Sequence, residues 1–225
     1  NDQELSYAFT VRELNVICTA GEFGATHVST FAGAWEGKPV ESAYEEFGKV
    51  FRELADLAEE KGVKLGIENC LMDGTWEHAT CNIGFNPKAW EVMFEEVKND
   101  NFGLEWEPTH QMVQLIDPVT ELRKWCKKIV HIHGKDATID WDAVRHSGIS
   151  GAVPFVWHRM PGFGDTNWRD IISILRSNGY EDDICIEGYH DPVYSGELEM
   201  TGQLHALNYL KWCRGGDFTP TPWAK

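Results

Sequence analysis

The sequence lacks the features of membrane proteins and of disulfide-stabilised secreted proteins. No apolar run approaches the length of a membrane-spanning helix, about 18 residues. The first five residues are mainly polar and acidic and show no signal-peptide pattern. The six cysteines include no CxxC pair, and their spacing does not suggest a disulfide framework. We therefore expect a cytoplasmic protein with free thiols.

Basic residues are also scarce. The chain has 20 Lys and Arg against 36 Asp and Glu, a net charge of −16. Binding to a nucleic-acid backbone needs a basic surface, so nucleic acid is not an expected partner. The remaining composition, 42% apolar and 25% charged, is that of an ordinary globular protein. The length predicts one domain over residues 1–225 and leaves homo-oligomer formation open.

Short β-rich segments alternate with amphipathic helix patterns along the chain. The helix patterns lie at 8–20, 41–61, 87–98, just after Pro118, 167–177 and 197–212. The predicted strands are 26–31, 64–69, 102–107, 128–133, 153–157 and 183–187. Residues 134–152 show neither pattern and are predicted to be irregular. The alternation of strand and helix predicts a parallel α/β fold.

The spacing of these units predicts the kind of α/β fold. A (β/α)8 TIM barrel uses about 30 residues for each β/α unit, which suits the observed spacing. The sequence shows six strands and begins with a helix pattern. We therefore expect a TIM barrel whose first one to two β/α units are missing from the given chain.

Four predicted strands carry a ligand-capable side chain at or near their carboxyl ends: Glu68, Glu107, His133 and Glu187. Side chains alternate between the two faces of a strand, and in a barrel the carboxyl ends of all strands meet at one mouth. Three carboxylates at one point repel each other unless a cation lies between them. We therefore predict a site for one divalent metal ion, Mn²⁺ first, with Mg²⁺, Co²⁺ or Zn²⁺ as alternatives.

Two further polar residues share the inward faces of these strands. Glu105 and His131 lie one layer deeper than Glu107 and His133 by strand alternation. We predict that Glu105 and His131 form a buried pair that supports the metal ligands from below.

Five short motifs, in order along most of the chain, resemble the xylose isomerase-like TIM-barrel superfamily of sugar phosphate isomerases and epimerases. The motifs are Ile67-Glu-Asn69, Glu107-Pro-Thr-His110, His131-Ile-His-Gly-Lys-Asp136, Arg159-Met-Pro-Gly-Phe-Gly164 and Ile186-Glu-Gly-Tyr-His190.

This resemblance implies roles for individual residues. It implies that Glu68, Glu107, His133 and Glu187 bind the metal, that Glu68 and Glu187 act as catalytic base and acid, and that His110 contacts the substrate. The family usually has Asp at the position of Glu107, so the coordination of this longer side chain and the identity of the metal are open.

Four more residues are candidates for the neighbourhood of the site. Lys135 and Arg159 could neutralise an oxyanion or an acidic group of the substrate, and Trp35 could form a wall of the pocket. Asp136 could orient a metal ligand or cap the loop that follows it.

The resemblance implies an isomerase or epimerase of a sugar or sugar phosphate. Such enzymes move a proton next to a carbonyl through an enediolate that the metal stabilises. One alternative is a metal-dependent lyase, such as a dehydratase of a cyclic polyol or a dehydroshikimate-like compound. Another is a barrel that binds a metal or sugar without catalysis. A three-zinc nuclease on the same barrel is disfavoured, because the chain is acidic and Val156 lies where such a protein needs an acid.

Overall fold

The computed structural model of the protein describes residues 2–222, with side chains from residue 12 onward. Its strands, in chain order, are β1 (His27–Thr30), β2 (Lys64–Glu68), β3 (Phe102–Trp106), β4 (Ile129–Gly134), β5 (Asp136–Ile139), β6 (Val156–Arg159) and β7 (Ile184–Ile186). Its helices are α1 (Asp2–Phe23), α2 (Tyr44–Glu60), α3 (Pro87–Glu96), α4 (Pro108–Met112), α5 (Pro118–Trp125), α6 (Trp141–Ser147), α7 (Trp168–Ser177) and α8 (Glu199–Cys213).

Five of the strands form one parallel sheet. Their order is β1-β2-β3-β4-β7, and every neighbouring pair is parallel. Parallel pairing brings the carboxyl ends of all five strands to one edge of the sheet. The sheet and its helices confirm the predicted TIM-barrel fold. The sheet forms a half-barrel, since no strand among the described residues pairs with the outer edge of β1 or of β7.

The starts of several helices follow from local sequence. Prolines open α3, α4 and α5, where the missing N–H is not needed for a helical hydrogen bond. The side chains of Asn86, Asp117, Asp140 and Asn167 accept hydrogen bonds from backbone N–H groups in the first turns of α3, α5, α6 and α7. Such caps each stabilise a helix by about 1 kcal/mol.

The core lies between the sheet and the helices that cover it. One face of α2 buries Phe47, Phe51 and Leu54, and the two Phe rings stack with centroids 4.5 Å apart. They pack beside Phe102 of β3, a strand whose five residues are all buried. Gly103 allows β3 to approach β4, since a Cβ atom there would collide with the carbonyl oxygen of Lys128.

The structure corrects the sequence prediction after β4. Residues 134–152, predicted to be irregular, contain β5 and α6. The strand predicted at 153–157 is observed as β6, and it pairs antiparallel with β5 instead of joining the barrel sheet. The sequence predicted six barrel strands, and this prediction is wrong for β6. In the described residues β4 bonds directly to β7, so the barrel sheet has five strands.

Three expectations about the whole chain have different outcomes. No helix in the described part of the chain is both long enough and apolar enough to span a membrane. The statement that the chain shows no signal-peptide pattern was drawn from residues 1–5, whose side chains lie outside the described residues. That residues 1–225 form one domain stays a prediction.

Candidate metal centre

The four residues predicted as metal ligands come together in the structure. One ligand atom from each of Glu68, Glu107, His133 and Glu187 can be chosen so that all four lie within 4.8 Å of one another. Glu68 is the last residue of β2, and Glu107 directly follows β3. His133 lies within β4, and Glu187 directly follows β7. We call these four residues the metal cluster.

The imidazole of His133 lies at the centre of the metal cluster. Its Nδ1 atom is 3.5 Å from an oxygen of Glu68, 3.7 Å from one of Glu107 and 3.3 Å from one of Glu187. Burial alone would lower the pKa of His133, but the surrounding carboxylates raise it well above its ordinary value. The imidazole is therefore protonated in this structure. Its positive charge lies among the three carboxylates, where a metal cation would also be stabilised.

Several buried atoms of the metal cluster have no hydrogen-bond partner among the described residues. They are both carboxylate oxygens of Glu107, Nδ1 of His133 and Oε2 of Glu187. The side chain of Glu107 is fully buried, and burial raises its pKa to about 8. A buried carboxylate without partners is costly unless it is protonated or binds a cation. Three carboxylates and one imidazole thus fit a divalent metal ion.

The predicted pair of Glu105 and His131 is not formed as a hydrogen bond. The two strand positions are paired in register, but Nε2 of His131 lies 4.0 Å from the Glu105 carboxylate. The ring of His131 instead stacks on His27, with centroids 3.9 Å apart. The Glu105 carboxylate lies 3.2 Å from Nε2 of His133, on the opposite side of that ring from the metal cluster.

Lys135 and His110 flank the metal cluster. Lys135 is buried and donates a hydrogen bond of 2.8 Å to Glu187, and its ammonium lies 3.8 Å from Glu107. Burial alone would lower the pKa of Lys135, but these two carboxylates raise it. Burial, together with the charge of Lys135, lowers the pKa of His110 to about 3, so its imidazole is neutral. Its Nε2 atom lies 3.3 Å from Glu107.

Two buried asparagines that sequence reasoning did not single out hold the backbone of the site. The side chain of Asn69 accepts a hydrogen bond from the N–H of Glu107 (2.7 Å) and donates one to its carbonyl (2.9 Å). The Asn82 side chain donates to the carbonyls of Glu68 and Cys70. Asn69 directly follows Glu68 in the motif Ile67-Glu-Asn69. Its place in this motif is the only feature of the sequence that could have identified Asn69 as a site residue.

Two other predicted site residues, Asp136 and Arg159, contact groups outside the metal cluster. Asp136 accepts hydrogen bonds from three backbone N–H groups, those of Ala137, Gly162 and Thr166, and so caps the loop that follows β6. The guanidinium of Arg159 contacts Asp191 at 3.4 Å and lies over the ring of Phe163.

Trp35 lies in a different place from the metal cluster. It lines a separate cavity of about 420 Å³ between α2 and the segments 31–36 and 80–81, and no residue of the metal cluster lines that cavity. Contact of Trp35 and Arg159 with a substrate stays a prediction.

The fold and the cluster define a class of proteins: TIM barrels with a carboxylate–imidazole site at the carboxyl ends of their strands. A family model described as "Xylose isomerase-like TIM barrel" matches residues 9–211. The chain belongs to this family, as its motifs predicted.

Solved structures of similar proteins share the fold. A xylose isomerase domain protein from Planctomyces limnophilus superposes with a TM-score of 0.69 over 92% of this chain and 65% of its own, at 20% identity. An IOLI protein described with a bound zinc atom superposes with a TM-score of 0.66 over 95% of this chain and 70% of its own, at 22% identity.

A curated relative corrects the expected activity. The inosose dehydratase of Clostridium tetani is 26% identical over 182 residues, which are 79% of this chain and 57% of the relative. The chain thus spans little more than half the length of this protein. The prediction of an isomerase or epimerase is wrong in view of this relative and others with the same name. The name agrees with the alternative, a lyase.

Proposed function

We propose that the protein is an enzyme, a metal-dependent dehydratase of a polyhydroxylated cyclic ketone of the inosose type. The observation that carries the proposal is the buried Lys135, which donates a hydrogen bond of 2.8 Å to Glu187 at the edge of the metal cluster. Loss of water needs a proton donor for the departing hydroxide, and Lys135 supplies one beside the site. The shared name of several curated relatives supports the same reaction.

The substrate would enter on the side of the two partly exposed cluster carboxylates. The side chains of Glu68 and Glu187 are 19% and 30% exposed, whereas that of Glu107 is fully buried. Glu68 and Glu187 can therefore contact a substrate, and Glu107 only holds the cation. The neutral imidazole of His110 would form a hydrogen bond with a substrate oxygen.

The metal cluster would hold one divalent cation, which when bound polarises the ketone and makes the neighbouring C–H bond more acidic. The zinc described for the IOLI protein is compatible with the ligand set, as is the manganese expected from the sequence.

Of the two partly exposed carboxylates we assign the base to Glu68, because Glu187 accepts the hydrogen bond from Lys135. Burial alone would raise the pKa of Glu187, but contacts with His133, Glu107 and Lys135 lower it strongly, so Glu187 is a weak base. In the proposed reaction Glu68 takes the proton next to the carbonyl, a C=C bond forms, and the C–O bond of the neighbouring hydroxyl breaks. Lys135 protonates the departing hydroxide, and water leaves.

Mass analysis of the product separates this reaction from the alternatives. The metal-loaded protein is incubated with a panel of inososes, and the product is examined by mass spectrometry. The proposal expects a product lighter by one water molecule, formed at a rate that falls when a chelator is added. An isomeric product of unchanged mass would contradict it. The variant Lys88→Met, in a surface ion pair with Glu91, serves as a matched control for lysine substitutions.

A further inference from the structure

Two more groups of ligand-capable side chains lie beside the metal cluster. One contains His27, Glu105 and His131, and in it the ligand atoms lie within 4.8 Å of one another. The rings of His27 and His131 stack with only 20° between their planes. The lone pair of an imidazole nitrogen lies in the plane of its ring, so two stacked rings do not direct their lone pairs at one shared point. This group is therefore a poor metal site.

The other group contains Glu68, Cys70 and His110, and its ligand atoms also lie within 4.8 Å of one another. Glu68 ends β2 and Cys70 follows two residues later, with both carbonyls held by the Asn82 side chain. His110 reaches the group from α4, with Nε2 3.9 Å from an oxygen of Glu68. This separation is less than the sum of a Zn–N and a Zn–O bond, about 4.2 Å. One ion can therefore contact both atoms.

We propose that Glu68, Cys70 and His110 form a second cation site that selects thiophilic dications such as Zn²⁺ or Cd²⁺. The donor atoms are one sulfur, one nitrogen and one oxygen, a set that suits Zn²⁺ and that Mn²⁺ and Mg²⁺ bind poorly. The metal cluster offers three carboxylates and one imidazole, and accepts harder ions as well. Glu68 belongs to both sites and would bridge the two ions, as carboxylates do in two-metal centres.

The balance of charge predicts the order in which the two sites fill. The three carboxylates of the metal cluster, one dication and the ammonium of Lys135 together carry no net charge. A second dication then meets a site without net negative charge, and it is held mainly by its bonds to the sulfur, nitrogen and oxygen donors of this group. The second site should therefore fill after the metal cluster, with lower affinity.

The second site has a consequence that depends on the proposed function. His110 is the residue that the proposed reaction assigns to a substrate oxygen, and an ion bound to its Nε2 would take that position. Zn²⁺ beyond one equivalent should therefore compete with the substrate and raise the apparent KM.

Cadmium binding tests the second site without any substrate, so its result is independent of the dehydratase proposal. The metal-free full-length protein is titrated with Cd²⁺, bound metal is counted per chain, and the sulfur-to-cadmium charge-transfer band is recorded. We expect two Cd²⁺ ions and a thiolate band for the wild type, against one ion and a weaker band for Cys70→Ser. Cys81→Ser is the matched control, because Cys81 is exposed and lines the other cavity, and it should bind like the wild type.

Two results would overturn the proposal: a wild type that binds one Cd²⁺, or a Cys70→Ser variant that keeps both ions and the full band. If the substitution prevents folding, the wild type alone still gives an answer. Cd²⁺ should then protect Cys70 from alkylation, read by peptide mass spectrometry, and unchanged alkylation would contradict the site. Competition between Zn²⁺ and the substrate is tested separately. If excess Zn²⁺ leaves the apparent KM unchanged, the result contradicts the inhibitory role and not the second site itself.

Discussion

The Nε2 atom of His133 lies 3.2 Å from a carboxylate oxygen of Glu105, on the side of the ring opposite the metal cluster. A carboxylate in this position favours the tautomer with the proton on Nε2 and leaves the lone pair of Nδ1 for a cation. Glu105 is buried, and although burial alone would raise its pKa, the contact with His133 lowers it. Glu105 therefore remains charged and orients the ring.

Replacing Glu105 should weaken metal binding without removing a ligand. We expect Glu105→Gln to lower the affinity for Zn²⁺ by about 10- to 100-fold, the usual cost of losing a carboxylate behind a metal-binding histidine. The affinity is measured by competition with a chelator. His131→Gln is the control, because His131 lies 4.0 Å from Glu105 and stacks on His27 instead. Equal losses in the two variants would contradict this role.

Metal affinity should rise with pH across the neutral range. Burial raises the pKa of Glu107 to about 8, and the carboxylates around His133 raise its pKa despite burial. Both groups hold protons in the metal-free protein and must release them when a cation binds. A lower proton concentration therefore favours the metal.

Proton release can be measured by calorimetry in buffers of different ionisation enthalpy, between about pH 6 and pH 8. Glu107→Gln removes one of the two titrating groups, so it should bind the metal more weakly and release fewer protons. A dissociation constant that does not change with pH in the wild type would argue against this account of the metal cluster.

Asn69 should matter for stability and for metal binding together. Its side chain makes two hydrogen bonds to the backbone of Glu107, and Asn69→Ala removes the one that the buried N–H donates and the one that the carbonyl accepts. We expect a loss of about 1–3 kcal/mol in the free energy of unfolding and a weaker affinity for the metal. Asn167→Ala is the control: it removes the cap of α7, at about 1 kcal/mol, and α7 carries no residue of the metal cluster. Denaturant unfolding and chelator competition measure the two effects.

Lys135 should be needed for turnover but not for metal binding. Lys135→Met removes the proposed proton donor, and we expect kcat to fall by about 10²- to 10⁴-fold. The same change removes a positive charge 3.8 Å from Glu107 and 2.8 Å from Glu187, so the affinity for a dication should increase. A variant with normal kcat, or one that loses the metal, would show that Lys135 has another role.

Strand alternation and strand order were enough to predict which residues meet at the mouth of the barrel. Glu68, Glu107, His133 and Glu187 follow from these rules, since each lies at or near a strand end and parallel pairing brings those ends together. The contact between Glu105 and His133 could not be predicted in the same way. It depends on side-chain rotation and on the stacking of His131 against His27, which strand alternation does not specify.

The segment after β4 shows a second limit of sequence reasoning. β5 and β6 pair across a connection that includes α6, and a strand pattern alone does not tell which neighbour it will bond to. Trp35 lines a cavity that no residue of the metal cluster lines, and its contact with a substrate stays a prediction. The reaction could not be derived either, because proton abstraction next to a carbonyl begins both isomerisation and dehydration.

The most direct test of the central claim is the mass of the product that the metal-loaded protein forms from an inosose. Our account predicts a product lighter by one water molecule. It also predicts that the product is lost after Glu68→Gln or Lys135→Met and kept after Lys88→Met. An isomer of unchanged mass, or equal dehydration by the Glu68→Gln variant, would contradict the account.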